Sequence, residues 1–136
     1  MKFITHTLSV PTSKRNDMID ITSQVARAVS ESGIQNGDVI VFCPHTTAGI
    51  TINENADPDV VHDVLMTLSE LLPKDRRGYR HDEGNSDSHC KSSLTGCSEQ
   101  VIITDGKIVL GTWQGLYFCE FDGPRSRKVT VQIRGE

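Results

Sequence analysis

A chain of 136 residues with 14 Lys and Arg against 18 Asp and Glu, net charge −4, is long enough for one domain with its own core. It lacks the basic excess that a nucleic-acid or anionic-membrane surface demands, so neither partner is expected. No stretch approaches the ~18 apolar residues needed to cross a bilayer, and the N-terminus carries no apolar signal segment. The reading is a single cytoplasmic domain over residues 1–136. Cys43, Cys90, Cys97 and Cys119 show no CxxC spacing. They read as small structural thiols rather than a disulfide framework, with Cys43, beside Pro44 and His45, the least secure case.

Residues 2–10 alternate as a strand, with Ile4, His6, Leu8 and Val10 on one face. After a loop over 11–16, Ile21, Val25, Ala28 and Val29 recur at helical spacing, with Asp20 or Thr22 as N-cap and Gly33 as the stop. The run Val39–Cys43 predicts a strand covered on both faces, and Ile50–Ile52 a second one. Asp57–Pro58 starts a helix whose stripe is Val61, Leu65, Leu68 and Leu72 and which Pro73 ends. His62 falls on its solvated side.

A short helix is expected over 88–94, ended by Gly96. Asp105–Gly106 between two apolar runs reads as a type I′ hairpin. Residues 116–121 read as a buried strand, and 128–134 alternate Val129, Val131 and Ile133 against polar positions. Seven or eight strands and two or three helices, with hairpins late in the chain, give an α+β class: a largely antiparallel β-sandwich flanked by helices.

Four polar clusters follow strands: His45–Thr47, Asn53–Asp57, His81–His89 and Asp122–Arg125. If their loops share one sheet edge they build one polar pocket. His45, His81 and His89 would then supply three imidazoles, the ligand set of a catalytic zinc site with an open fourth position. The other reading makes them loop histidines that bond locally or touch substrate. Asp87 and Glu83 are placed to orient a ligand histidine. Glu54, between two Asn in a loop, is a candidate general acid or base, as is Asp87. For Asn55 and Asp57 a cap network at the helix start competes with any site role.

Arg125, on a Gly-Pro-Arg turn, is suited to a rigid bidentate contact. Lys91, Ser92, Ser93 and the amides of the short helix add an oxyanion or phosphate cradle. Thr46, Thr47, Asn53, Asn55, Lys91, Ser92 and Trp113 are the candidate substrate-binding residues. Trp113 is placed to stack on a heterocycle, unless it serves core or subunit contact.

The segments HTTAGITINENADPDV (45–60), YRHDEGNSDSHCKSSLTG (79–96) and LGTWQGLYFCEFDGPRSRKV (110–129) resemble the YjbQ-like family over nearly the whole chain. The resemblance implies a β-sandwich flanked by helices, assembled as a homotrimer with its pocket near subunit boundaries. It also matches His45, His81 and His89 to the histidines proposed there as metal or active-site residues. The activity attached to the family is a weak, secondary thiamine-phosphate synthesis. That reaction joins a hydroxymethylpyrimidine diphosphate to a thiazole phosphate and releases pyrophosphate. On that reading the substrate is a small phosphorylated heterocycle, and the cofactor a divalent metal, zinc or, with a pyrophosphate group, magnesium. Dedicated synthases usually use a TIM barrel of ~250 residues, which this chain is too short to form. Two other readings stay open: a non-enzymatic trimer that binds a metabolite or metal, and a zinc-dependent hydrolase.

Overall fold

Inward-facing Val and Ile at every second position force the late strands to bury one face, and the chain meets that demand with two stacked sheets. The computed structural model describes residues 1–136. In chain order the elements are β1 (Lys2–Pro11), β2 (Asp17–Asp20), α1 (Thr22–Ser32), β3 (Asn36–Phe42), β4 (Ala48–Glu54) and α2 (Pro58–Leu71). They continue with α3 (Ser86–Thr95), β5 (Ser98–Thr104), β6 (Lys107–Ile108), β7 (Gln114–Glu120) and β8 (Ser126–Gly135). One sheet has the order β1-β8-β3-β5-β6 and the other β2-β7-β4, with every pairing antiparallel.

The main core lies between the sheets. Val39, Val41, Val101, Ile103, Val129, Val131 and Ile133 meet Ala48, Ile50, Leu116 and Phe118, and α1 adds Val25, Ala28 and Val29. Each Val, Ile, Leu or Phe among them stabilises the fold by roughly 1.5–3 kcal/mol when fully buried. A second cluster, Met18, Tyr117, Cys119 and Phe121, occupies the other face of β7 under Val61, Val64, Leu65 and Leu68 of α2. Strand β7 is therefore covered on both faces, whereas α2 buries no residue completely.

The local signals account for most boundaries. Asp57 accepts a hydrogen bond from the Asp59 amide at 2.9 Å and Pro58 opens α2. At the start of α1 the cap position falls on Ile21, between the two expected caps, while Asp20 Oδ1 accepts from Thr22 N at 2.9 Å and Thr22 Oγ1 at 2.6 Å; Gly33 ends that helix at φ 74°. Asp105 and Gly106 hold φ 52° and 74°, the pair of positive angles a type I′ hairpin requires.

Two expectations are corrected and one element is added. Strand β3 is covered on one face only: Val39, Val41 and Cys43 are buried, but Phe42 is 41% exposed. The outer face of its sheet is solvated and crossed by the Arg134–Asp38 and Gln100–Asp38 contacts. The stretch Asp17–Asp20, to which the sequence pattern assigns no element, is a strand, because β7 offers it a paired edge. Cys90 and Cys97 are exposed thiols, whereas Cys43 and Cys119 are buried. The two exposed ones lie on and just after the solvent side of α3.

Candidate functional site

Strand direction decides which loops can meet. β1, β3 and β7 each leave their sheet at the same end of the sandwich, and the chain crosses there to the other sheet through 12–16, 43–47 and 121–125. Hydrogen bonds tie these crossings together. The Thr12 amide donates to Arg125 O (2.9 Å), the Arg125 amide to Thr12 Oγ1 (2.8 Å), and the Phe121 amide to Thr47 O (3.1 Å). The N-terminus of α3 docks on the same end: Ser88 Oγ donates to Phe121 O at 2.6 Å and Asn85 Nδ2 to Asp122 Oδ2 at 2.8 Å.

A polar cleft of about 340 Å³ opens among these loops, lined by Pro44, His45, Thr46, Thr47, Glu83, Asn85, Asp122, Arg125 and Arg127. At its floor lies a buried ion pair. Glu120, with no exposed surface, accepts from Arg127 Nε at 2.8 Å and from Arg127 Nη2. Thr12 Oγ1 (2.7 Å) and the Asp122 amide (3.0 Å) complete its partners. Arg127 Nη2 also donates to Thr47 Oγ1 at 2.9 Å. Burial alone would raise the Glu120 carboxyl, but Arg127, Thr12 and the Asp122 amide hold it below the ordinary carboxylate range.

His45 occupies the place where β3 has left the ladder. The last β3–β8 pair is Phe42 with Thr130, and two residues earlier on β8 the imidazole replaces the missing strand. Burial, and then the Arg127 charge, push its pKa below the usual histidine value, so the ring is neutral at pH 7. As a neutral ring it accepts the Lys128 amide at Nε2 (3.0 Å) and carries its proton on Nδ1. The Lys128 carbonyl, 3.1 Å from the same nitrogen, is the partner available on protonation.

The UPF0047 protein YjbQ-like family model matches residues 6–136. The chain belongs to this family. A UPF0047 protein of Methanocaldococcus jannaschii is 55% identical over 93% of this chain and 91% of its own. YugU of Bacillus subtilis is 53% identical over 95% and 98%. Among solved structures, a YjbQ/UPF0047 protein of Clostridium acetobutylicum superposes with TM-score 0.93 at 58% identity, covering 95% of this chain and 99% of that one. A protein of Sulfolobus solfataricus superposes with TM-score 0.95 at 35% identity, covering 99% of each.

Within this YjbQ-like chain the predicted site residues fall into separate places. His45, Thr46, Thr47 and Arg125 meet at the cleft, joined by Glu83 from the 81–96 stretch. Asn53, Glu54, Asn55 and Trp113 lie at the other end of β4 and β7. There the Asn55 amide donates to Trp113 O at 3.0 Å and Tyr117 OH to Glu54 O at 2.9 Å. Seven residues of strand, at ~3.3 Å each, put about 20 Å between the two ends. Asn55 Nδ2 also bonds Asp20 Oδ2 (3.1 Å), and Asn53 borders an apolar cavity of about 240 Å³ beneath α2. Trp113 is 62% exposed and stacks on no aromatic ring of this chain.

Asp87 and Lys91 do not face the cleft. Asp87 is fully buried and receives both Arg15 guanidinium nitrogens (3.0 and 2.9 Å) and Lys91 Nζ (3.1 Å). Lys91 bonds Asn16 Oδ1 as well, at 3.1 Å. Burial raises the Asp87 pKa and its two cations more than reverse that, so it stays ionised and paired. Ser92 Oγ donates to Ala48 O at 2.6 Å, which ties α3 to the edge of β4. These three side chains anchor α3.

The three histidines do not fit one zinc site within this chain. His81 and His89 pair edge to face with centroids 5.3 Å apart, and Glu83 lies 3.8 Å from His81. His45 stands apart from them with Nε2 engaged by Lys128, and no group of three His, Cys, Asp or Glu side chains is arranged to hold a metal ion. Sequence reasoning did not single out Glu120, Arg127 or Asn85 as site residues. For the first two a signal existed: Arg127 shares the inward parity of Val129, Val131 and Ile133, and Glu120 that of Leu116 and Phe118.

Proposed function

We propose that this protein is a small transferase acting on phosphorylated heterocycles, with the oxyanion end of its substrate in the cleft. The reaction to measure is the joining of a hydroxymethylpyrimidine diphosphate to a thiazole phosphate. One observation carries this reading: two arginines, two threonines and a neutral His45 converge on a cleft with no apolar side chain save Pro44. In that reaction a carbon–oxygen bond to the diphosphate breaks as the thiazole nitrogen forms its bond to the same carbon, and pyrophosphate departs. The charge that needs stabilising is on the departing oxygen, and hydrogen-bond donors aimed at it are the efficient way to meet it. Arg125 and the Thr46 hydroxyl serve the outer phosphate, and the Nδ1 proton of His45 is a further donor.

Glu54 and Trp113 lie too far along the strands to serve the cleft of their own chain. The trimer that the family resemblance implies would let a neighbouring copy bring its Glu54–Trp113 end to the cleft. The test is product formation from the two precursors by the parent, by Glu54→Gln, by Arg125→Ala and by the two inactive variants refolded together. Product from the parent, loss in each variant and recovery in the mixture support the reading. No product from the parent sinks the transferase; no recovery in the mixture sinks the shared site.

A non-enzymatic metabolite-binding role is the second reading. It is favoured by the absence of an unpaired buried carboxylate beside the cleft, since Glu120 is committed to Arg127. A thermal shift with phosphorylated ligands but no turnover would select it.

A further inference from the structure

Arg127 is 95% buried by its 5% residual exposure, yet it lines the cleft. Its Nε and Nη2 are engaged by Glu120 and Thr47. Nη1 has no protein partner, and it is not among the unpaired atoms sealed from solvent. Nη1 therefore keeps some contact with solvent, and in a residue that lines the cleft its N–H groups are the ones left for a ligand. Behind them Glu120 is wholly enclosed and balances the charge, so the pair is a fixed dipole with its positive end toward the cleft. Thr47 Oγ1, which accepts from Nη2, keeps its own proton for a bound oxygen.

Arg125 is built differently. Its Nε and Nη2 reach Asp122 O (2.9 Å) and Oδ2 (3.0 Å), and its side chain is half exposed. An exposed ion pair of this kind holds its side chain loosely. A guanidinium already fixed by buried partners loses little freedom when a ligand arrives, and a desolvated contact is the stronger one.

We infer that Arg127 is the oxyanion-reading residue of the cleft, taking one oxygen of a phosphate or carboxylate on Nη1 while Glu120 holds the guanidinium in place. This rests on the cleft being the ligand site and names the group that recognises the ligand there. Because Glu120 cancels the net charge, recognition comes from oriented N–H groups. Binding then depends weakly on salt, unlike capture by a surface basic patch.

The experiment is calorimetric titration of the full chain with inorganic pyrophosphate, orthophosphate and acetate. The proteins are the parent, Arg127→Lys, the double variant Glu120→Gln/Arg127→Gln and Arg125→Ala. The double variant removes both charges together, so neither is left buried alone, and a cooperative melt by circular dichroism verifies that it folds. Arg127→Lys retains the charge but loses the second arm of the fork.

The expected result is parental binding of at least one probe, weakened at least about tenfold in both Arg127 variants, the size of one lost hydrogen bond to a charged group. Arg125→Ala should weaken binding less than either Arg127 variant, since Arg125 is half exposed and loosely held. Raising salt from about 50 to about 500 mM should cost less than about threefold, since buried groups are screened little. Response to the phosphates alone indicates a phosphoryl ligand and response to acetate a carboxylate; either agrees with the assignment. It is overturned if the Arg127 variants bind as the parent does, if Arg125→Ala alone abolishes binding, or if salt removes it. It is equally overturned if the parent binds no probe at roughly 10 mM, weaker than any useful site. Absence of product from the two precursors would leave the titrations intact and count only against the transferase.

Discussion

Replacing Arg127 with Met tests how the cleft floor is held. The parent pair is fully enclosed on the Glu120 side and 5% exposed on the Arg127 side. Methionine fills much of the arginine stem's volume but leaves the Glu120 carboxylate with only Thr12 Oγ1 and the Asp122 amide. Breaking a buried pair from one side costs about 3–5 kcal/mol, because an uncompensated charge remains in a low-dielectric site. For a domain of this size that corresponds to roughly 10–20 °C in Tm.

The pH dependence carries a distinctive sign. In the parent the Glu120 pKa is depressed, so its contribution to stability is full above the unfolded value of about 4.3 and is lost as pH falls through the folded value. In Arg127→Met burial dominates and the folded pKa rises above the unfolded one. The variant is then penalised at pH 8 and relieved as the carboxyl protonates on acidification. Urea denaturation of both proteins at pH 8 and pH 5, at one protomer concentration, should show the gap narrowing at pH 5. Adding Glu120→Gln should recover part of the loss at pH 8. A variant within about 1 kcal/mol of the parent at both pH values would refute the buried pair, since that is the range of an exposed one.

Asp87→Asn should destabilise by about 3 kcal/mol or more, because Lys91 would be left buried without its counter-charge; denaturant unfolding measures it. Native thiol labelling should modify Cys90 and Cys97 rapidly, while Cys43 and Cys119 react only on unfolding, the latter also held back by a pKa pushed to about 12. NMR titration of the His45 ring should give a midpoint below the ordinary value near 6.5, lowered by burial and Arg127. Gly123→Ala should be poorly tolerated, since a Cβ there would stand 2.1 Å from the Lys14 carbonyl oxygen; reduced Tm and altered amide shifts around Thr12 and Arg125 would report it.

Much of the fold was legible because strong local signals coincide with tertiary demand. The Asp57–Pro58 helix start, the Asp105–Gly106 turn and the Val129–Ile133 alternation each name their element without help. Strand β2 was not legible, since four residues with one paired edge carry too little periodicity. At the site, the polar loops were found but their grouping was not. His45–Thr47 precede β4 and Asn53–Asn55 close it, so they occupy opposite ends of one strand, and only strand direction reveals that. Lys91 and Asp87 looked available because charged side chains in a polar stretch usually are. Their i, i+4 spacing was equally the sign of a pair, and Arg15, far off in sequence, supplied the rest. Arg127 was not singled out, because basic side chains at a strand end are usually solvated, although its parity already placed it inward.

The arrangement of the sheets also sets the order in which the chain can assemble. β8 lies between β1 and β3, and β7 between β2 and β4, so each sheet has an interior strand from the last part of the sequence. Until residues 114–135 have paired, β1, β2 and β4 have no strand neighbour at all, and only β3, β5 and β6 can form a ladder. Contacts such as Thr12 to Glu120 close loops of more than a hundred residues. A chain with such distant pairings folds slowly for its size and exposes its early strand edges while it waits.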